Sequence, residues 1–70
     1  MLRVMKVTRL KLVRQMCGLR QIDLARAIGV GESTIAKWET RRSRPGPEIL
    51  QRMAEVLCVP TEAIEEPDHD

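Results

Sequence analysis

The side chains best equipped for chemistry lie in one stretch of the chain, between residues 32 and 44. Hydrogen-bonding groups come first and guanidinium groups second: Glu32, Ser33, Thr34 and Lys37, then Arg41, Arg42 and Arg44. Hydroxyl, carboxylate and ammonium groups exchange hydrogen bonds with a polar partner, whereas guanidinium groups match the geometry of phosphates. We interpret the three arginines as a phosphate-binding group, and simple solvation of the surface is the alternative.

Catalytic and metal-binding interpretations of this chain are weak. Ser33 and Lys37 are spaced i, i+4 and could pair as nucleophile and base, but beside an arginine loop they are better suited to binding a polar partner. The single histidine is His69, near the C-terminus, and Cys17 and Cys58 lack the spacing of a zinc motif. We expect a protein that is not an enzyme and that needs no metal or cofactor.

Charge is divided unevenly along the chain, although the net charge is only +2. Residues 1–44 hold eleven of the twelve Lys and Arg against three acids, a balance of +8, and residues 45–70 hold one Arg against seven acids, a balance of −6. A basic half favours a polyanionic partner through the release of counterions. The acidic half is expected to face away from that partner, although charge alone is equally compatible with solvated helix faces.

Apolar residues recur at helical spacing through most of the chain, so an all-α fold is predicted. Glycine and proline mark where the predicted helices stop and start. In order, we predict a helix around Leu10 and Val13 that stops at Gly18, helices over 21–28 and 32–39, one that begins at Pro47 and includes Leu57, and a short one that holds Ile64. No strand is needed, except as an option in residues 2–7.

A chain of 70 residues suits one small domain with a modest core. We assign residues 1–7 to an N-terminal extension, 8–65 to the domain and 66–70 to an acidic tail without fixed structure. No secretory segment and no apolar run near the roughly 20 residues of a membrane span is present, which favours a cytoplasmic protein. There we expect Cys17 and Cys58 to be unpaired, largely buried packing residues, with a redox switch as the alternative.

Two short helices joined by a turn of about three residues form the helix-turn-helix pattern, which an ordinary helical hairpin shares. Here the sequence itself is specific. The chain contains the segment LRQIDLARAIGVGESTIAKWE, which is followed by the arginine loop before Pro45 and by LQRMAEVL. From about Thr8 to Ile64 this arrangement closely resembles the Cro and phage-repressor-like (XRE) family of bacterial and phage DNA-binding proteins. The resemblance implies a compact five-helix bundle of the lambda-repressor type and sequence-specific binding of double-stranded DNA by a small transcriptional regulator, with a repressor favoured.

The resemblance also implies roles for individual residues. In the third helix, the recognition helix, base edges in the major groove are read by Glu32, Ser33, Thr34 and Lys37. The DNA backbone is contacted by Gln21, Arg41, Arg42 and Arg44. Arg14 and Glu39 form a buried ion pair between the first helix and the end of the third. Ile35 and Trp38 pack in the core, a role that we favour for Trp38 over stacking on a base.

Some positions depart from the family pattern. Arg41 and Cys58 stand where glycine is frequent, so we expect both to adopt positive φ angles, which are uncommon for such residues. Glu32 stands where Gln, Arg or Ser is common, which leaves the preferred base open. An acid at this position can accept a hydrogen bond from a cytosine amino group but repels nearby phosphates.

The implied assembly is a homodimer on a palindromic site, weak in free solution and completed on the DNA. We favour an interface near Val59 and Ile64, with an apolar patch of Leu2, Val4 and Met5 as the alternative. The second hypothesis for the function is a protein-interaction module, such as an antitoxin or a coactivator-like bridging factor. In that case the acidic half of the chain would carry the contact.

Overall fold

The computed structural model describes residues 7–67, which form four α-helices and one turn of 3-10 helix. The elements are α1 Arg9–Met16, α2 Gln21–Ile28, α3 Glu32–Glu39, α4 Pro47–Leu57 and the 3-10 turn Thr61–Ala63. The predicted all-α fold is confirmed, and no strand occurs in this part of the chain. The strand considered for residues 2–7 falls almost entirely outside it.

The predicted count of five helices is wrong. The last segment forms only a 3-10 turn after Pro60, and Ile64 follows it with a φ of −120°. Pro60 and Pro67 bracket this short segment. A segment of this length gains few helical hydrogen bonds, because the first turn fixes several residues for each bond formed.

Helix ends follow local chemistry that is visible in the sequence. The Thr8 side chain caps α1 and accepts a hydrogen bond from the Lys11 backbone N–H at 3.3 Å. α2 ends at Gly29, which has a φ of 78°, and α4 begins with Pro47. These signals act within a few residues, which explains why the predicted bounds of α2 and α3 agree with the observed ones.

The core is formed by one apolar face of each helix. Its buried members are Leu10, Leu24, Ala25, Ile28, Ile35, Met53, Ala54, Leu57 and Ile64. α2 packs against both α3 and α4, α1 packs against α3, and the 3-10 turn packs against α1 and α4. Trp38 is half-buried and packs against this cluster, as expected for a core role. The orientation of α3 is therefore held by α2 and α1.

The predicted burial of the two cysteines is wrong, because Cys17 and Cys58 are free thiols with exposed side chains. Cys17 follows the last residue of α1, and Cys58 follows the last residue of α4. Both positions are helix ends, where fewer neighbouring elements cover a side chain, so the spacing of the apolar stripe no longer predicts which side chain is buried.

The prediction that Ile64 contributes to a dimer interface is wrong. Ile64 is only 2% exposed and belongs to the core of its own chain. The alternative patch of Leu2, Val4 and Met5 lies outside the described residues. Between residues 7 and 67, no helix is long and apolar enough to span a membrane.

Candidate nucleic-acid interface

The two faces of α3 have opposite character. Ile35 is fully buried and Glu39 is 5% exposed, so these residues face the domain. Glu32, Ser33 and Lys37 are exposed on the other side of the helix, while Thr34 is half-buried. Residues that are three to four apart share a helix face, which places the three exposed side chains on the solvent side.

The turn between α2 and α3 is fixed by its backbone. Gly29 adopts the left-handed region, and the N–H groups of Gly29 and Val30 both donate to the Ala25 carbonyl, at 2.8 and 3.0 Å. Val30 is half-buried and packs on the core. Gly31 precedes α3 in an extended conformation. The turn therefore sets the angle at which α3 leaves α2.

Arg14 and Glu39 form a buried ion pair between α1 and the end of α3. The Arg14 Nε and Nη2 donate to the two Glu39 carboxylate oxygens at 2.5 and 3.1 Å, and its Nη1 donates to the Leu19 carbonyl at 2.6 Å. The two side chains are 7% and 1% exposed. The guanidinium thus donates to a backbone carbonyl as well as to the carboxylate. A buried ion pair requires such additional hydrogen bonds.

Gln21 belongs to the same network. Its Nε2 donates to a Glu39 carboxylate oxygen at 3.0 Å, and the side chain is part-buried at the first residue of α2. The structure therefore places the amide predicted to contact DNA against the end of α3. Its contact with the DNA backbone stays a prediction.

The arginine loop folds back on the end of α3. The Arg42 and Ser43 N–H groups donate to the Lys37 carbonyl at 2.9 and 3.4 Å. Arg41 has a φ of 62°, which agrees with the predicted positive angle, and Cys58 has a φ of 59°. Arg41, Arg42 and Arg44 are all exposed. The loop thus presents a basic surface beside the polar face of α3.

The start of α2 carries a second charged pair that the sequence analysis missed. Arg20 and Asp23 form an exposed ion pair with N–O distances of 3.0 Å, and the Asp23 carboxylate also accepts from the Arg20 backbone N–H at 2.8 Å. The Arg20 side-chain hydrogen bond, followed by this backbone hydrogen bond, lowers the pKa of Asp23 from 3.8 to about 2. The sequence did contain a signal for this pair, because an acidic residue lies three positions after the residue that precedes a candidate helix.

Glu66 is the other residue that the sequence analysis missed as part of this region. It was assigned to the acidic tail, but its carboxylate accepts from the Arg41 Nη2 at 3.1 Å and from the Arg9 backbone N–H at 2.6 Å. These partners are 25 and 57 residues away in the chain. No spacing rule connects residues so far apart, so the sequence held no signal for the contact.

Two short helices joined by a fixed turn, with a polar face on the second helix and a basic loop after it, define a helix-turn-helix DNA-binding protein. A family model described as helix-turn-helix matches residues 10–64, which is most of the chain. The protein therefore belongs to the Cro/C1-type helix-turn-helix (XRE) family, a family of DNA-binding regulators. This confirms the predicted family. A search of curated proteins gives no match.

Proposed function

We propose that this protein is a transcriptional repressor that binds a specific double-stranded DNA site with α3 in the major groove. The observation that carries the proposal is the division of α3 into a buried face with Ile35 and Glu39 and an exposed face with Glu32, Ser33 and Lys37. The major groove admits one α-helix, so the exposed face can meet base edges while the buried face stays anchored to the domain. Thr34 reads bases from the margin of this face.

Phosphate contacts flank the recognition helix in this proposal. Arg41, Arg42 and Arg44 supply them on one side, from an exposed loop whose backbone is tied to Lys37. On the other side, Gln21 and the first N–H groups of α2 supply them, because these N–H groups have no partner within the helix and attract anions. Such contacts fix the register of the protein on DNA, whereas α3 selects the sequence.

The protein acts as a dimer in this proposal, because one recognition helix reads only a few base pairs. With Ile64 in the core, the candidate surface is formed by Val56, which is 39% exposed, and by the half-buried Val59. These residues lie at and just after the end of α4. Two copies that present α3 to successive major grooves would cover a palindromic site, and occupancy of a promoter by such a dimer favours repression.

The proposed binding is tested by selecting bound sites from random duplex DNA and measuring affinity for the selected site by fluorescence anisotropy. If about five phosphates are neutralised, the logarithm of the affinity falls with the logarithm of the salt concentration with a slope of about −4 to −5. Arg42→Ala should weaken binding to all sequences about equally, whereas Ser33→Ala or Lys37→Ala should change the preference among them.

Arg52→Ala is the matched control, because Arg52 is an exposed arginine on α4, away from the arginine loop in sequence. It should leave affinity and preference nearly unchanged. No enriched sequence together with a flat salt dependence would contradict the proposal and favour the protein-interaction role instead.

A further inference from the structure

The C-terminal segment reaches the arginine loop through one carboxylate. Glu66 Oε1 accepts from Arg41 Nη2 at 3.1 Å, while Glu66 Oε2 accepts from the Arg9 backbone N–H at 2.6 Å. The Glu66 side chain is 21% exposed and that of Arg41 is 47% exposed. The acid is therefore the more enclosed partner, and the arginine is the one with more freedom to turn toward a ligand.

Glu66 is held in place from the α1 side. Arg9 is the first residue of α1, and the first N–H groups of a helix lack internal partners and carry partial positive charge. A carboxylate is stabilised at that position. The Arg9 side chain adds to the attachment, because its Nη1 donates to the carbonyls of Glu62 and Glu65 at 3.2 and 3.3 Å. Glu66 is thus attached to α1 by contacts that do not involve Arg41.

We infer that Glu66 is an internal competitor for DNA phosphate at Arg41 and lowers the affinity of the protein for DNA. The inference rests on the proposed DNA binding through the arginine loop. A phosphate and a carboxylate present the same anionic oxygens to a guanidinium group, so a phosphate at Arg41 must either displace Glu66 or lie close to its negative charge. Both alternatives cost affinity, because Glu66 remains attached to α1.

The expected effect is moderate, because the pair between Arg41 and Glu66 is exposed on the arginine side and exposed ion pairs are weak. Glu66→Gln removes the charge and keeps an oxygen that can accept from the Arg9 N–H. Affinity for the selected DNA site should rise about twofold to fivefold in this variant. The salt dependence should steepen by up to about one unit of slope, because Glu66 then no longer partly neutralises the charge with which Arg41 contacts a phosphate.

A double-mutant cycle tests whether the effect passes through Arg41. In an Arg41→Gln background, Glu66→Gln should change the affinity little, because the residue for which the carboxylate competes is gone. Glu62→Gln is the matched control for net charge, since Glu62 is an exposed acid of the same segment whose carbonyl contacts Arg9. Urea unfolding of each variant checks that the domain remains folded.

Three results would overturn the inference while leaving the proposed function intact: equal gains from Glu66→Gln and Glu62→Gln, an equal gain from Glu66→Gln with and without Arg41, or a loss of affinity in folded Glu66→Gln. The last result would mean that Glu66 positions Arg41 for DNA. Absence of specific DNA binding by the wild-type protein would instead overturn the proposed function and the inference together.

Discussion

At the residue scale, Glu39 connects the core of the domain to the proposed interface. Its carboxylate accepts from Arg14 on α1 and from Gln21 on α2, and its backbone carbonyl accepts from the Thr8 hydroxyl at 3.3 Å. One side chain at the end of α3 thus ties that helix to two others. The position of α3 therefore depends on the buried Glu39 carboxylate. Its removal would leave the Arg14 guanidinium buried without a counter-charge.

Glu39→Ala should destabilise the protein by about 3–5 kcal/mol, because the Arg14 guanidinium remains buried without its counter-charge. Urea unfolding followed by circular dichroism measures this free energy. Glu55→Ala, at an exposed position of α4, is the control and should change it by no more than about 0.5 kcal/mol. Equal effects of the two substitutions would show that the buried network contributes little to stability.

The exposed thiols make a second prediction at this scale. In the native protein, Cys17 and Cys58 should both react with a soluble thiol reagent without denaturant, because both side chains are accessible. Absorbance of the released chromophore measures the reaction, and Cys17→Ser and Cys58→Ser assign each site. Reaction only after unfolding would contradict the observed exposure. Comparing the DNA affinity of oxidised and reduced protein then tests the redox alternative.

At the element scale, the helix ends show which features local sequence controls. Gly29 and Cys58 end α2 and α4 in the same left-handed backbone region, with φ of 78° and 59°. Glycine adopts this conformation without strain, whereas a side chain brings its Cβ close to the backbone. The positive φ at Cys58 was expected from the family resemblance, because Cys58 stands where glycine is frequent after this helix.

Gly29→Ala should destabilise the protein by about 1–2 kcal/mol, and Cys58→Gly should stabilise it by up to about 1 kcal/mol. An added Cβ at Gly29 meets no atom within 4 Å, so its cost comes from the backbone conformation and not from a clash. Urea unfolding of both variants measures the two effects. If Cys58→Gly destabilises the protein, the contacts of the cysteine side chain must contribute more free energy than its left-handed backbone costs.

At the scale of the whole molecule, the proposed dimerisation would determine the affinity for a palindromic site. Val56→Asp should prevent two copies from binding together and should lower affinity for the palindrome at least about tenfold, while the domain stays folded. Sedimentation with and without DNA measures the stoichiometry. Leu12→Asp is the control, because Leu12 is 51% exposed on α1.

If Val56→Asp leaves the assembly unchanged and Leu12→Asp disrupts it, the interface lies on α1 instead. Ile64→Asp cannot serve as a test of the interface. Its side chain is 2% exposed, so the substitution would bury a charge in the core and unfold the domain.

The helical class, the bounds of α2 and α3 and the turn at Gly29 could be predicted from the residues alone, whereas the left-handed positions at Arg41 and Cys58 were expected from the family resemblance. These features depend on residues within about one helical turn, where spacing and backbone preference act directly. Family resemblance supplied the candidate pairing of Arg14 with Glu39, which spacing could not show.

The burial of Ile64, the exposure of the cysteines and the contacts of Glu66 depend on how the helices pack. The Gln21 amide meets Glu39 across 18 residues, and Glu66 meets the start of α1 across 57. Such contacts exist because packed helices bring distant parts of the chain together, and the sequence pattern of each segment records only which face is apolar. The same packing makes Glu66 a neighbour of the arginine loop.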